Sequence, residues 1–273
     1  MVLPGYPIPT TEGRPSLDLA ALQRVADVAA AEGAAVISRR IGRLDSPEES
    51  KGRAGDWVTS ADWESESAIR ASLERATPQI PIVGEEGGGA RASVYWTVDP
   101  IDGTTNFLLG FPVVAVSIAL IADGRPQVAA IRAPLLDLVF AGVRGGGARC
   151  GNRLLVVSPR EPSRAVVATA LPFRQSPLLP RYLRALEAAF GRIEDIRRAG
   201  SASLDLAWTA AGVFDGYFEL NQSEWDVAAG ALLVEEAGGV VTDWEGGSEY
   251  LAGNVIAGSP ATHAALLDAV RSA

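Results

Sequence analysis

Three chemically useful residue types are almost absent from this 273-residue chain, which has one cysteine, one histidine and one lysine. A single cysteine, Cys150, allows no disulfide within the chain and suits a reducing compartment. Catalysis by a serine or cysteine nucleophile with a histidine base could use only His263. The lone lysine, Lys51, lacks the upstream glycine pattern of a phosphate-binding loop, which excludes a P-loop nucleotide site.

Long apolar runs and excess positive charge are also missing. Hydrophobic residues make up 48% of the chain, yet no run of 18 or more apolar residues occurs, so a membrane span is not expected. Residues 1–15 show no signal-peptide pattern and are expected to form a loose arm. A net charge of −9 disfavours nucleic acid and anionic membranes. We therefore expect a cytoplasmic protein without a membrane partner or a nucleic-acid partner.

The order of predicted elements changes near the middle of the chain. Two helices are predicted first, over residues 16–40 and 60–74, and a series of antiparallel strands follows. After about residue 156 strands and helices alternate, so the first half is predicted as α+β and the second as α/β. No linker of disordered composition separates the halves, which predicts one domain. The predicted boundaries are 1–15 for the arm, 16–155 and 156–273 for the halves, and 1–273 for the domain.

The stretch "VYWTVDPIDGTTNF" ends an apolar strand with two carboxylates, Asp99 and Asp102. A buried ionised acid is costly unless it is paired, and no lysine or histidine stands near these two. Mg²⁺ prefers carboxylate, carbonyl and water oxygens, often with a phosphate completing its shell. The Ile101 carbonyl could join the two acids, and Gly103 and Thr104 offer backbone N–H groups to a phosphate. The stretch therefore predicts a cation site beside an anion site.

Three further acids, Asp62, Glu85 and Asp226, stand beside glycine or turn residues. Each has a purely structural interpretation. Asp62 and Asp226 follow Thr59 and Ser223 at the spacing of a helix capping box, and Glu85 fits a solvated loop acid. If all five acids converged instead, their mutual repulsion would be strong without cations.

The sequence resembles the inositol monophosphatase family, within a wider superfamily of Mg²⁺-dependent, lithium-sensitive phosphatases. The resemblance runs from about Leu17 to the end of the chain. It rests on "DWVTSAD" at 56–62, "GEE" at 84–86, "WTVDPIDGTTNF" at 96–107, "GSASLDLAW" at 200–208 and "WDVAAGALLVEEAGG" at 225–239. It implies a layered αβαβα sandwich of the α/β class and, commonly, a homodimer.

The resemblance also implies roles for individual residues. The implied ligands of two to three Mg²⁺ ions are Glu85, Asp99, Ile101 through its carbonyl, Asp102 and Asp226. Thr104 and Asp62 match the pair that orients and deprotonates the attacking water, and Lys51 falls where the family has a phosphate-side lysine. Glu85 also matches the catalytic position at the third, weaker metal. The implied substrate contacts are Asp102, Gly103, Thr104, Gly200, Ser201, Ala202, Glu219 and Asp226.

The activity implied is hydrolysis of a phosphate monoester by a metal-activated water, with inositol monophosphate as the first expectation. The metal core is shared across the superfamily, so fructose-1,6-bisphosphate, 3′-phosphoadenosine-type nucleotides and histidinol phosphate stay open. Glu219 with Ala202 favours a polyol over an adenine. A different class of function is association with RNA polymerase and RNA, as in some bacterial relatives. Leu109 stands where the family often has a histidine, and this departure removes no metal ligand.

Overall fold

The computed structural model describes residues 17–42, 49–50, 57–173 and 176–272. Lys51, the predicted arm over 1–15 and Ser16, the predicted N-cap of the first helix, lie outside the described residues. The α-helices of the described part are α1 (Leu19–Arg40), α2 (Ser60–Ala76), α3 (Thr104–Leu109), α4 (Leu179–Phe190), α5 (Ala202–Ala210), α6 (Glu224–Glu236) and α7 (Pro260–Arg271). Its strands are β1 (Glu49–Ser50), β2 (Trp57–Val58), β3 (Ile82–Gly84), β4 (Val94–Asp102), β5 (Ala115–Ala122), β6 (Arg125–Ala133), β7 (Leu138–Val143), β8 (Gly147–Cys150), β9 (Arg153–Leu154), β10 (Val166–Thr169), β11 (Asp195–Arg197), β12 (Gly216–Glu219), β13 (Val240–Thr242) and β14 (Val255–Gly258).

These elements stack in alternating helical and sheet layers. A seven-stranded sheet, in the order β3-β4-β5-β6-β7-β8-β9, carries α1 and α2 on one face. The helices α5 and α6 lie between that sheet and a five-stranded sheet of order β11-β10-β12-β14-β13, whose outer face is covered by α4 and α7. Neighbouring side chains on β4 face opposite layers, Trp96 towards α1 and α2 and Tyr95 towards α6. The predicted αβαβα sandwich is confirmed. Among the described residues, no helix combines the length and apolarity needed to cross a bilayer.

The sequence-based boundaries and strand directions need three corrections. Helix α1 begins at Leu19, after Asp18, whose Oδ1 accepts a hydrogen bond from Ala21 N at 2.9 Å. In the first half, strands β4 to β9 are antiparallel as predicted, but β3 runs parallel to β4. In the second half, β10 is parallel to β11 and β12, whereas β14 is antiparallel to both its neighbours. The second sheet is therefore mixed.

A β-bulge at the end of β4 decides where the two acids of "DPID" point. Asp99 pairs with Ser117 on β5, and Asp102 pairs with Ala115, so β4 has one residue more than β5 across this interval. Ser117 and Ala115 are two residues apart and share a face, and their partners therefore do so as well. Pro100, inside the bulge, has no N–H to contribute to the ladder. Without the bulge, two acids three residues apart would lie on opposite faces.

Candidate active site

Three of the four acids predicted as metal ligands, Asp99, Asp102 and Asp226, converge at the C-terminal end of β4. Asp99 and Asp102 lie on β4 with 1% and 7% exposure, and Asp226 lies in the first turn of α6. Each offers an oxygen within 4.8 Å of the others. Asp226 also closes the predicted capping box, since its Oδ2 accepts a hydrogen bond from Ser223 N at 2.8 Å. The structural interpretation of Asp226 is thus correct, and it does not exclude a second role.

The electrostatic state of this cluster suits a bound cation. Burial raises the pKa of Asp99 well above its usual value, and the charges of Glu85, Asp102 and Asp226 raise it further. Burial likewise raises the pKa of Asp226, again with help from Glu85 and Asp102. Carboxylate oxygens crowded in this way, with no basic side chain between them among the described residues, fit a hard divalent cation.

Asp102 differs from its neighbours because the first turn of α5 donates to it. Burial raises its pKa, but hydrogen bonds from Ser201 and Ser203 act against this. Ser201 Oγ lies 2.6 Å and Ser203 N 2.7 Å from Asp102 Oδ2, and Ser203 Oγ donates to the same oxygen. Ala202 N lies 3.3 Å from Oδ1. The predicted Ser201 and Ala202 are therefore next to Asp102, while sequence reasoning missed Ser203, which reads as one more small helical residue in "GSASL".

A cavity of about 660 Å³ opens over these acids. The predicted site residues that line it are Glu85, Asp99, Ile101, Asp102, Gly103, Thr104, Gly200, Ser201, Ala202, Glu219 and Asp226. Glu219 ends β12 at 6% exposure, and it accepts hydrogen bonds from Tyr217 OH at 2.7 Å and from Gln222 Nε2 at 2.5 Å. Glu219 therefore has a fixed place inside the cavity, and an interpretation as a solvated strand end is wrong.

The turn after β4 brings backbone donors to the same cavity. Gly103 has a φ of 94°, and a Cβ there would lie 2.9 Å from Val113 O, so this position requires glycine. Helix α3 begins directly afterwards at Thr104, whose Oγ1 donates to Ile101 O at 3.2 Å. The Ile101 carbonyl, Thr104 and the N–H groups of the turn thus lie at one place.

The predicted proton acceptor Asp62 lies in the first turn of α2. It is 1% exposed and accepts hydrogen bonds from Thr59 N at 2.8 Å and Thr59 Oγ1 at 2.6 Å, which confirms the capping box. Asp62 is not among the residues that line the cavity. Its partnership with Thr104 stays a prediction, as does the role of Lys51, which lies outside the described residues.

Two charged residues of the cavity were missed from the sequence. Asp205 on α5 is 1% exposed, and within the described part of the chain its Oδ1 has no hydrogen-bond partner. Burial, followed by the charges of Glu219 and Asp102, raises its pKa. Arg198 is the single basic side chain among the lining residues, and its guanidinium lies 5.7 Å from the centre of the Phe173 ring. Asp205 stands within "GSASLDLAW", but a lone acid in a helical pattern gives no sign that it faces a cavity.

Comparison with known proteins shows the family of this chain. Residues 18–273 match the model of the inositol monophosphatase family. The chain belongs to this family. Within the family it is similar to Nus factor SuhB of Vibrio cholerae, at 43% identity over 223 residues that cover 80% of this chain and 84% of that protein. Nus factor SuhB of Pseudomonas aeruginosa is also 43% identical, over 252 residues that cover 89% and 93%.

Solved structures of inositol monophosphatase family members show the same fold. The extragenic suppressor protein SuhB from Bartonella henselae superposes with a TM-score of 0.88 at 38% identity, covering 92% of this chain and 98% of that one. The inositol monophosphatase from Anabaena (Nostoc) sp. PCC 7120 gives a TM-score of 0.80 at 32% identity, covering 94% and 97%. The layered arrangement is therefore that of the inositol monophosphatase family.

Proposed function

We propose that this chain is a Mg²⁺-dependent phosphomonoesterase that acts on a polyol phosphate, with inositol monophosphate as the preferred substrate. One observation supports the proposal above all others. The cavity has a cluster of acidic oxygens within 4.8 Å of one another, and it is also lined by Glu219, a separately held carboxylate. A phosphate ester has two parts, a phosphate and an alcohol, which suit these two features.

The metal ligands proposed are Glu85, Asp99, the Ile101 carbonyl, Asp102 and Asp226. Bound Mg²⁺ would lower the pKa of a water and stabilise charge on the attacking and leaving oxygens. The chain itself supplies the framework: a strand end, a turn and a helix start hold these oxygens without needing long, mobile side chains. The raised pKa of Asp99 follows from burial and from this crowding, and the charge of a bound cation would oppose both effects.

The remaining steps fall to groups beside the acids. The N–H groups of Gly103 and Thr104 would hold the phosphate oxygens, and Lys51 would add a positive charge on the phosphate side. Thr104 Oγ1 would orient the attacking water. As the water loses a proton to Thr104 Oγ1, the hydroxyl proton of Thr104 would pass to Asp62. With His263 the only histidine in the chain and placed on α7, a carboxylate is the more suitable final acceptor.

The alcohol end of the substrate would lie against α5 and Glu219. The Glu219 carboxylate has a fixed orientation because Tyr217 and Gln222 donate to it. Two oxygens held in this way can accept hydrogen bonds from hydroxyl groups of a polyol, and charged acceptors form the stronger bonds. Gly200, Ser201 and Ala202 leave room beside it because their side chains are small or absent.

A phosphate-release screen tests the proposal. Inositol monophosphate, fructose-1,6-bisphosphate, a 3′-phosphoadenosine nucleotide and histidinol phosphate are compared with Mg²⁺ and again with excess chelator. We expect turnover that requires Mg²⁺ and is fastest for inositol monophosphate. Turnover unaffected by chelator would refute the metal mechanism, and a preference for another ester would refute the substrate assignment alone.

A second candidate function is association with the transcription machinery. It is favoured by the name of two relatives, Nus factor SuhB. Each is 43% identical to this chain over most of its own length. That name stands against the expectation, drawn from the net charge of −9, that nucleic acid is not a partner. Co-purification of the tagged chain with RNA polymerase, with and without nuclease, tests it. Retention that disappears with nuclease would indicate an RNA contact, and no retention would leave the phosphatase as the single candidate.

A further inference from the structure

A buried carboxylate outside the cavity binds the turn that carries Glu85. Glu66 lies on α2 at 2% exposure and accepts hydrogen bonds from Glu86 N at 2.8 Å and Gly87 N at 2.9 Å. Its third donor is Arg70 Nε at 2.6 Å, one helical turn further along α2. We propose that Glu66 is a positioning residue that fixes Glu85 for metal binding, an inference that rests on the metal site of the proposed function.

Two backbone hydrogen bonds between Gly84 and Gly88 close the turn that carries Glu85. Gly84 N donates to Gly88 O and Gly88 N donates to Gly84 O, each at 3.0 Å. Arg70 Nη2 donates to Gly88 O at 2.5 Å, so the guanidinium holds the far side of the same turn. Glu85 N donates to Val98 O of β4 at 3.1 Å. The backbone on both sides of Glu85 is thus hydrogen-bonded either to β4 or to the Glu66–Arg70 pair.

Two glycines of "GEEGGG", Gly84 and Gly87, show how closely the Glu66 carboxylate packs against the turn. A Cβ on Gly87 would lie 2.6 Å from Glu66 Oε1 and 3.1 Å from Arg70 Nε, and a Cβ on Gly84 would overlap the Glu66 carboxylate. The side chain of Glu66 therefore fills the volume that these two residues leave free. Glycine at both positions lets the backbone N–H groups approach the carboxylate directly.

Helix α2 does not need this carboxylate in order to pack. Ile69 and Leu73, both fully buried, join α2 to the core beneath the seven-stranded sheet. A buried acidic side chain costs free energy unless hydrogen-bond donors satisfy its oxygens. Glu66 has three such donors, and two of them are backbone N–H groups of the Glu85 turn. The preceding residue, Ser65, donates its Oγ to Pro100 O in the bulge at 3.0 Å. Adjacent residues of α2 thus support two of the three backbone segments that present the proposed metal ligands, the turn with Glu85 and the end of β4.

The chain offers a matched control for testing Glu66. Glu64 is on the same helix and pairs with Arg39 at 3.1 Å and Arg40 at 2.7 Å, away from the turn. Glu66→Gln and Glu64→Gln remove the same charge from the same helix. In Glu66→Gln one oxygen can still accept a hydrogen bond, but the amide NH₂ meets a second backbone N–H and repels it.

Two readouts separate positioning from general stability, and neither needs turnover. Hydrogen exchange of the metal-free protein should be at least tenfold faster at the Glu86 and Gly87 amides in Glu66→Gln, with exchange in the seven-stranded sheet unchanged. Calorimetric titration with Mn²⁺ should show an affinity about 10–100-fold weaker, as for other groups that orient metal ligands. Where substrate is turned over, saturating metal should restore most of kcat. Glu64→Gln should match the unmodified chain in every readout.

A second variant reaches the same contact from the turn. Gly87→Ala places a methyl group against the Glu66 carboxylate and leaves α2 untouched, so we expect the same weaker Mn²⁺ affinity. Unchanged Mn²⁺ affinity in both Glu66→Gln and Gly87→Ala would overturn the proposal, as would an equal loss in Glu64→Gln. Absence of phosphate release by the unmodified chain would instead refute the proposed function, because Mn²⁺ binding and hydrogen exchange are measured without substrate.

Discussion

Replacing Asp99 by asparagine should stabilise the metal-free protein and destroy the proposed metal site. Three acidic oxygens lie within 4.8 Å of one another, and at that distance two unit charges repel by about 3.5 kcal/mol in an effective dielectric of about 20. Burial first, and then this repulsion, raise the pKa of Asp99, so the metal-free protein relieves part of the repulsion by binding protons. We therefore expect a smaller net gain for Asp99→Asn, about 1–3 kcal/mol near neutral pH.

The substitution is conservative in every other respect. Ile101 N donates to Asp99 Oδ1 at 2.9 Å, and the amide oxygen of asparagine can accept the same hydrogen bond. Its NH₂ group can donate to Asp226, with which Asp99 already shares a hydrogen bond. The gain should appear as a rise in Tm of roughly 2–4 °C for each kcal/mol.

The assay is thermal unfolding in chelator and in Mg²⁺, with Asp268→Asn as a control. Asp268 is exposed and pairs with Arg192 at 2.8 Å, far from the acids in chain position and in fold layer. Mg²⁺ at a thousand times its Kd would stabilise the unmodified chain by about 4.1 kcal/mol, more than the roughly 1–3 kcal/mol expected from the substitution, and Asp99→Asn should lose most of this stabilisation. The order of the two Tm values should therefore reverse between chelator and Mg²⁺.

The pH dependence follows from the same charges. A raised folded pKa means that the native state holds more protons than the unfolded state above the ordinary Asp value of 3.8. The free energy of unfolding of the metal-free protein should then fall as pH rises through that window, and less steeply in Asp99→Asn. A metal-free Asp99→Asn protein that is less stable than the unmodified chain near neutral pH would refute this reasoning.

The remaining predictions concern proton transfer, substrate recognition and the single histidine. Thr104→Ala and Asp62→Asn should each lower kcat strongly in steady-state assays, and the double variant should be little worse than either, because the two share one step; multiplying losses would contradict this. Glu219→Ala should raise KM for inositol monophosphate about tenfold, since hydrogen bonds to a charged group contribute roughly 1.5–3 kcal/mol, whereas an aryl phosphate without hydroxyls should be unaffected. Burial lowers the pKa of His263 below 6.5, so its contribution to stability should be complete above pH 6.5 and lost as pH falls. An NMR titration of this one imidazole that gave a pKa at or above 6.5 would exclude the effect.

The apolar strands and helical periodicities of the sequence predicted the elements of the two halves, whereas the layered sandwich was predicted from the resemblance to the inositol monophosphatase family. Sequence does not fix strand direction as firmly, because direction depends on which strand lies beside which. A loop connects the short strand β3 to β4, and nothing in "IPIVGEEGGG" indicates that the two strands pair in parallel. The start of α1 was misplaced for a local reason: Ser16 and Asp18 are both good cap residues, and the sequence does not say which one is used.

The candidate site was predicted better where a motif is contiguous than where contacts are long-range. Asp99 and Asp102 were found because "DPID" interrupts an apolar strand. Ser203 lies about a hundred residues further along the chain, and its contact with Asp102 exists only because α5 packs against the end of β4. Glu66 was missed for the same reason, since an acid on a polar helix reads as solvated until its donors in the turn after β3 are known.

Asp62 and Asp226 show why the sequence could not separate a structural role from a chemical one. Each fits a capping box, and the structure contains both boxes. A helix start is also a good place to hold a ligand, because the cap fixes the side chain and the backbone in one orientation. The same four-residue pattern therefore serves both purposes, and its presence favours neither. A chemical role for Asp226 is favoured by its distance from Asp99 and Asp102 on another element. That distance depends on how α6 packs on β4, and no local sequence pattern can express it.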